Sequence, residues 1–428
     1  MANEQQQTQP QVAIPLPKGK KNAVQIGCIC MMLSVAMYGL VFATLTSPIL
    51  ESVNAMGYVS LFSIFAGMGV SIMTPIGGKL GDLIGRRNNE RKDVPKAMGM
   101  LATAIAVGGF GGSIIAGILT DMGLLKVAIL MPAVPLILGV VLIGMNMPNV
   151  KREGKVSIDI PGIIALVVAL AGILLALNFG SSMGWGNPAI IAGFVIGIVA
   201  LVVLVKIEGK SAEPLIPLKL FKNSQYTVLL IVGFICYFYQ SAMNVYAPIG
   251  AMRVMGASTS AAGALQMPRT IITIFLPTMA GVWVGKKASN AWKAMVIGTL
   301  FVAVPMAVMG FTTPSTSIII YFVALTITGI AESYRSVSIT PSAQATLQPA
   351  DMGVGTSLVN FVNSLANTIA AAVFGAAYNL NTAADPTNVA YIQNGVDSVF
   401  RLAAIVAVIG LVLVIFVVRP KMTAKKAE

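Results

Sequence analysis

Three charged side chains stand out against apolar surroundings in this sequence: Arg269, Glu332 and Arg335. Glu332 and Arg335 are spaced i and i+3, which puts them on one face of a helix. A charge held in hydrocarbon costs roughly 2.5–3.5 kcal/mol on insertion scales, so each needs a partner or a polar cavity. Two chemistries fit. The residues can form a structural ion pair that satisfies itself, or a site where Glu332 takes up a proton or an arginine holds an anionic group. Gln240, Asn244 and Gln266 could line the same cavity, as could Asn360, Asn363 and Asn367, whose i, i+3, i+7 spacing shares one face. An amide stripe of this kind can equally glue helices together. The chain contains no histidine, so a histidine-ligated metal and a histidine base are excluded. No nucleotide-binding glycine loop with lysine occurs, and no catalytic constellation. The expectation is a protein that is not an enzyme and carries neither metal nor cofactor.

The elements that must position these residues are apolar helices. The 428 residues are 56% hydrophobic and 10% charged, with a mean hydropathy of +0.84, more apolar surface than a soluble domain can hide. Runs long enough to span fall at 24–47, 58–80, 96–120, 125–147, 159–178, 187–207, 225–248, 261–284, 293–311, 316–340, 354–378 and 398–419. The net charge of +13 would raise nucleic-acid binding in a soluble protein, but basic residues flanking helix ends explain it here. With the amino end placed in the cytoplasm, 23 of the 28 Lys and Arg fall in cytoplasmic segments. Only Lys126, Arg253 and Arg401 fall outside. Both termini are therefore expected in the cytoplasm of a multi-pass cell-membrane protein. Cys28, Cys30 and Cys236 lie in apolar runs and read as packing thiols. Residues 1–22 are expected to form a disordered cytoplasmic tail, and 420–428 a basic one.

Two stretches carry more specific information. Gly78-Lys-Leu-Gly81-Asp82-Leu-Ile-Gly85-Arg86-Arg87 sets small residues, one acid and two bases where a helix meets the cytoplasm. The glycines permit a close crossing, and Asp82 can accept hydrogen bonds from Arg86 or a facing helix start. A fainter copy stands at Gly281-Val-Trp-Val-Gly285-Lys286-Lys287. Gly108-Gly-Phe-Gly-Gly112-Ser113-Ile-Ile-Ala116-Gly117 is a second small-residue patch. The first stretch resembles the cytoplasmic-loop signature after the second helix of the major facilitator superfamily, departing at Leu83. The second resembles the signature of that superfamily's antiporters, with Ser113 for proline and Ala116 for glycine. Asp159-Ile-Pro-Gly162 and Glu213-Pro-Leu-Ile-Pro-Leu-Lys-Leu-Phe221 look like the borders of the two central helices in its fourteen-helix drug:proton antiporter branch.

The resemblance implies an all-α polytopic fold of about twelve helices, a fourteen-helix plan lacking the third and fourth. It divides the chain into a reduced amino-terminal bundle (23–148), two central helices with a linker (149–224) and a six-helix carboxy-terminal bundle (225–419). It makes Gly78, Gly81, Asp82, Gly85, Arg86 and Arg87 a conformational latch, and Gly108, Gly112, Ser113, Ala116 and Gly117 a helix patch sealing the bundles. The branch's fourth-helix arginine motif has no counterpart, and Tyr38 and Gly39 stand where its first-helix acid is common. Efflux of drugs or amphipathic organic compounds by a monomer is the expected function, with protons as a candidate coupling ion. An organic-anion uptake carrier is the alternative, motivated by Arg269 and Arg335. A deletion variant that inserts in the bilayer without transporting is a third reading.

Overall fold

A computed structural model describes residues 17–55, 58–59, 61–71, 94–146, 159–211, 214, 216–287, 289–348 and 351–424. Among these residues the chain is helical with no strand. The helices are α1 (Lys18–Ser52) and α3 (Val94–Asp121); α2 (Leu61–Ser71), α4 (Leu125–Asn146), α6 (Pro188–Lys210), α7 (Ser224–Val254), α8 (Thr259–Lys286), α9 (Ser289–Met309), α10 (Ile318–Gln344) and α12 (Val389–Thr423); and α5 (Ile160–Met183) and α11 (Met352–Thr382). Ten helices among the described residues are long and apolar enough to cross a membrane. The remaining two expected spans correspond to α2 and α3, which flank residues 72–93 outside the described set. The latch residues Gly78, Gly81, Asp82, Gly85, Arg86 and Arg87 fall in that gap.

Helix boundaries follow local chemistry. Asp159 Oδ1 accepts from Gly162 N at 2.8 Å, capping α5 with Pro161 in its first turn. Asn187 caps α6 through Ala189 N at 2.9 Å, and Pro188 opens that helix. Between them Gly184 takes φ +88°, a left-handed turn position that a side chain would strain. Asn223, Ser317 and Asn388 cap α7, α10 and α12 in the same way. Residues 18–22, expected within the disordered tail, instead open α1 at Lys18, and a final turn runs over Arg419–Ala424; lysine is a good helix former.

Packing groups the helices into layers. α1 lies against α3 and α4 around Met37, Val41, Leu45, Ala116 and Ala128. The hairpin α5–α6 packs on α11 through α5. Helices α7 to α12 enclose the largest core, built on Tyr239, Met243, Tyr246, Tyr321, Phe374 and Phe400. Much of the outer surface is apolar, with Val134, Ile137, Ile198, Phe275 and Phe416 exposed, as lipid-facing side chains are.

Candidate functional site

Three helices of the α7–α12 set are interrupted close together, each by a proline that cannot donate to the carbonyl four residues earlier. Pro248 leaves the carbonyl of Asn244 without its helical donor, and α7 runs as a π-helix over Ala242–Tyr246. Pro268 does the same for Ala264, and α8 breaks into Thr259–Ala264 and Met267–Lys286. Pro341 does so for Val337, and α10 breaks into Ile318–Ser336 and Ile339–Gln344. Side chains that stand near these breaks in the sequence meet.

Arg269 donates from Nε to Glu332 Oε2 at 2.9 Å and also from Nη2 to the same oxygen. Its Nη1 donates to Gln266 Oε1 at 3.1 Å and makes a long contact of 3.4 Å with Asn244 Oδ1. Gln266 in turn donates to the Met243 carbonyl of the π-turn at 3.3 Å. Arg335 donates from Nη1 to the Cys236 carbonyl at 2.8 Å, and its guanidinium lies 3.5 Å from the ring centroid of Tyr237. Its Nη2 is 3.4 Å from Glu332 Oε1. Glu332 thus bridges two arginines, one from its own helix and one from α8. Side-chain exposure is 9% for Arg269, 4% for Arg335 and 24% for Glu332, so Glu332 is the least buried side chain of the three.

The structure therefore joins Arg269, Glu332, Arg335, Asn244 and Gln266. It does not join the others. Gln240 is half-buried on α7 outside this network, Asn360 is exposed, and Asn363 is buried while Asn367 is half-buried on α11. The amide face expected from their spacing is thus uneven in exposure, deepest at Asn363. Tyr237, Tyr239 and the Cys236 carbonyl were not singled out by sequence, since an aromatic or a backbone carbonyl in an apolar run carries no signal of its own.

The small-residue patch forms a second feature. Gly108, Gly112, Ser113, Ala116 and Gly117 are all buried. A Cβ built on Gly108 would meet the Leu33 backbone of α1, and one on Gly112 would lie 2.9 Å from Met37 Cγ. One on Gly117 would lie 2.7 Å from Ser260 Cα of α8. The patch thus seats α3 between α1 on one side and α8 on the other. Ser113 ties both: its hydroxyl donates to Gly263 O at 2.8 Å and shares a 2.9 Å hydrogen bond with Thr44. Beyond the patch, Asp121 accepts from Thr259 N at 3.2 Å, from Ser260 N at 3.0 Å and from the Ser260 hydroxyl. At the same face Glu51 of α1 pairs with Arg253 of α7 at 2.6 Å. Substituting Ser113 by alanine is expected to cost about 1–2 kcal/mol from its two buried hydrogen bonds, read as a lower melting temperature with unchanged helical content.

The sequence profile of the Major Facilitator Superfamily matches residues 89–371, which include both the patch and the charged cluster. The chain belongs to the Major Facilitator Superfamily. Its members among the similar proteins are transporters rather than enzymes. The multidrug transporter protein MdtP of Bacillus subtilis is 25% identical over 81% of this chain and 63% of its own length. The riboflavin transporter RibZ of Clostridioides difficile is 26% identical over 83% of this chain and 76% of its own length. An uncharacterized MFS-type transporter of Mycobacterium tuberculosis is 27% identical over 67% of this chain, but only 42% of that protein is covered. The chain thus spans about two fifths to three quarters of the length of these curated relatives. Among solved structures, a POT family transporter in complex with 5-aminolevulinic acid superposes with TM-score 0.61 at 15% identity, over 95% of this chain and 97% of that one. A bacterial homolog to the human lysosomal transporter Spinster, inward-facing and unoccupied, gives 0.58 at 13% identity over 95% and 98%. These likenesses establish the superfamily's polytopic membrane fold.

Proposed function

We propose that the chain is a secondary transporter exporting drugs or amphipathic organic compounds across the cell membrane by alternating access. The observation that carries this reading is the seam between α3 and α8. It combines backbone-close packing at Gly117 and Gly263 with hydrogen bonds at Ser113 and Asp121 that can part without leaving a charge buried. With both termini in the cytoplasm, as the basic residues argue, this seam is the outer gate, closed here. The division at 149–224 then separates a reduced amino-terminal bundle from a carboxy-terminal bundle holding the charged cluster, as repeat-built carriers do. The names of the relatives, multidrug transporter and riboflavin transporter, support small organic cargo. Proton coupling and a monomeric state are part of the same proposal.

The test is flux in everted vesicles from cells expressing the chain. An imposed proton gradient is expected to drive accumulation of an amphipathic dye, and Asp82→Asn is expected to slow it by hampering the latch. Accumulation only in right-side-out vesicles would instead favour an organic-anion uptake carrier, which Arg269 and Arg335 motivate. No accumulation of any probe in either orientation would favour a chain that inserts without transporting.

A further inference from the structure

The charge of the cluster does not close. Arg269 and Arg335 bring two guanidiniums and Glu332 one carboxylate, leaving one positive charge uncompensated within the apolar spans. Two further carboxylates lie within these spans among the described residues, and both are engaged elsewhere: Glu208 accepts from Ile216 N at 3.0 Å, and the second is Asp397. It lies 3.6 Å from Arg401 of its own helix and accepts from Gln393 and Thr312. A net charge in hydrocarbon is expensive, and an anion is what would remove it.

The two arginines are not equivalent. Arg335 is the more deeply buried, at 4% side-chain exposure, and is clamped between a backbone carbonyl and the Tyr237 ring, while its Nε and Nη2 have no hydrogen-bond partner and can take up the Glu332 carboxylate if it turns fully to them. Arg269 is held by side chains alone: Glu332, Gln266 and Asn244. Each can let go by a rotamer change. Glu332 reaches both arginines, with Oε2 on Arg269 and Oε1 towards Arg335, so it can release the first and keep the second. It is also the member of the three that keeps a quarter of its side-chain surface open, at 24%.

We infer that the cargo is an amphipathic monoanion, an apolar body bearing one carboxylate or sulfonate, and that its anionic group replaces Glu332 on Arg269. Glu332 then pairs with Arg335 alone. No covalent bond changes; one carboxylate shared by two arginines gives way to one anionic group on each, and the cluster goes from one net positive charge to none. Loading thereby removes the charge that makes moving these helices past apolar neighbours costly, which links occupancy to the change of access. The inference rests on the reading of the chain as a carrier of amphipathic compounds, and adds the charge of what it carries.

The experiment compares 1-naphthoate, 1-naphthamide and 1-naphthylmethylammonium, one aromatic body with three charges, by thermal stabilisation of the full chain in lipid nanodiscs. Naphthoate is expected to bind about tenfold more tightly than the amide, the worth of one charge-assisted pair, and the ammonium not measurably. Arg269→Gln is expected to bring naphthoate down to the amide. Glu332→Gln, which removes the internal competitor, is expected to tighten naphthoate by about tenfold on the same grounds. If Arg269→Gln does not fold, the charge series on the unaltered chain and Glu332→Gln decide. Naphthoate binding no better than the amide, absent altogether, or undiminished in a folded Arg269→Gln protein would overturn the inference, as would preference for the ammonium. Binding needs no flux. Failed vesicle transport with naphthoate selectivity intact therefore sinks the transport reading alone, and dye export without that selectivity sinks this one alone.

Discussion

Replacing Arg269 by alanine is expected to lower the stability of the folded protein by about 2–3 kcal/mol. Removing one partner of a buried ion pair typically costs about 3–5 kcal/mol because the other charge is left behind; here Glu332 keeps Arg335 at 3.4 Å, which relieves part of that. Alanine also strips Gln266 Oε1 of the donor it has at 3.1 Å. The check is a melting curve in detergent, run with Glu332→Gln and the double substitution. The sum of the two single losses is expected to exceed the double loss, because both single variants break the same Arg269–Glu332 pair. Additive losses would mean that the pairing between α8 and α10 contributes little, and that the cluster is held by its individual backbone and aromatic contacts.

The second large effect separates the two sides of the glycine patch. Gly108 faces α1, and the side chain of valine there would drive into the Leu33 backbone. Nothing on the backbone of a neighbouring helix can step aside cheaply, so Gly108→Val is expected to destabilise by several kcal/mol, above the roughly 1–3 kcal/mol usual for overpacking, and to reduce folded yield. Gly117 faces the first turn of α8, where a Cβ would lie 2.7 Å from Ser260 Cα. That contact crosses the seam proposed to part during transport. Gly117→Val is therefore expected to leave the melting temperature within a few degrees of the unaltered chain while separating α3 from α8. Equal loss of stability in the two variants, measured by thermal unfolding, would make the α3–α8 contact as permanent as the α1–α3 contact.

The helices and the small-residue patch were legible because hydropathy and glycine spacing are local. So was the i, i+3 pairing of Glu332 with Arg335, which needs only one helix. The bond that dominates, Arg269 to Glu332, was not, because the register of α8 against α10 is set by proline breaks and packing that no single stretch encodes. The breaks themselves could have been found: Pro248, Pro268 and Pro341 each stand within seven residues of a cluster member in the sequence. Ser113 is the most instructive position. Where the antiporter signature carries proline, this chain carries a hydroxyl, and the structure uses it to join α1 and α8 through α3. Glu51 and Asp121 gave no warning because an acid at a helix end is commonplace until its partner across the seam is known. The signature from Gly78 to Arg87 remains a statement about sequence alone, since it falls outside the described residues.

The central claim is that the α3–α8 seam opens and closes. Its most direct test is the distance between spin labels at Met122→Cys and Ser315→Cys, both exposed at the face where α3 ends, with Cys28, Cys30 and Cys236 replaced by alanine. Two populations are expected in nanodiscs, a shorter one matching the closed seam and a longer one that grows in Gly117→Val. A single distance, unchanged by that substitution and by any probe that binds, would contradict alternating access through this seam.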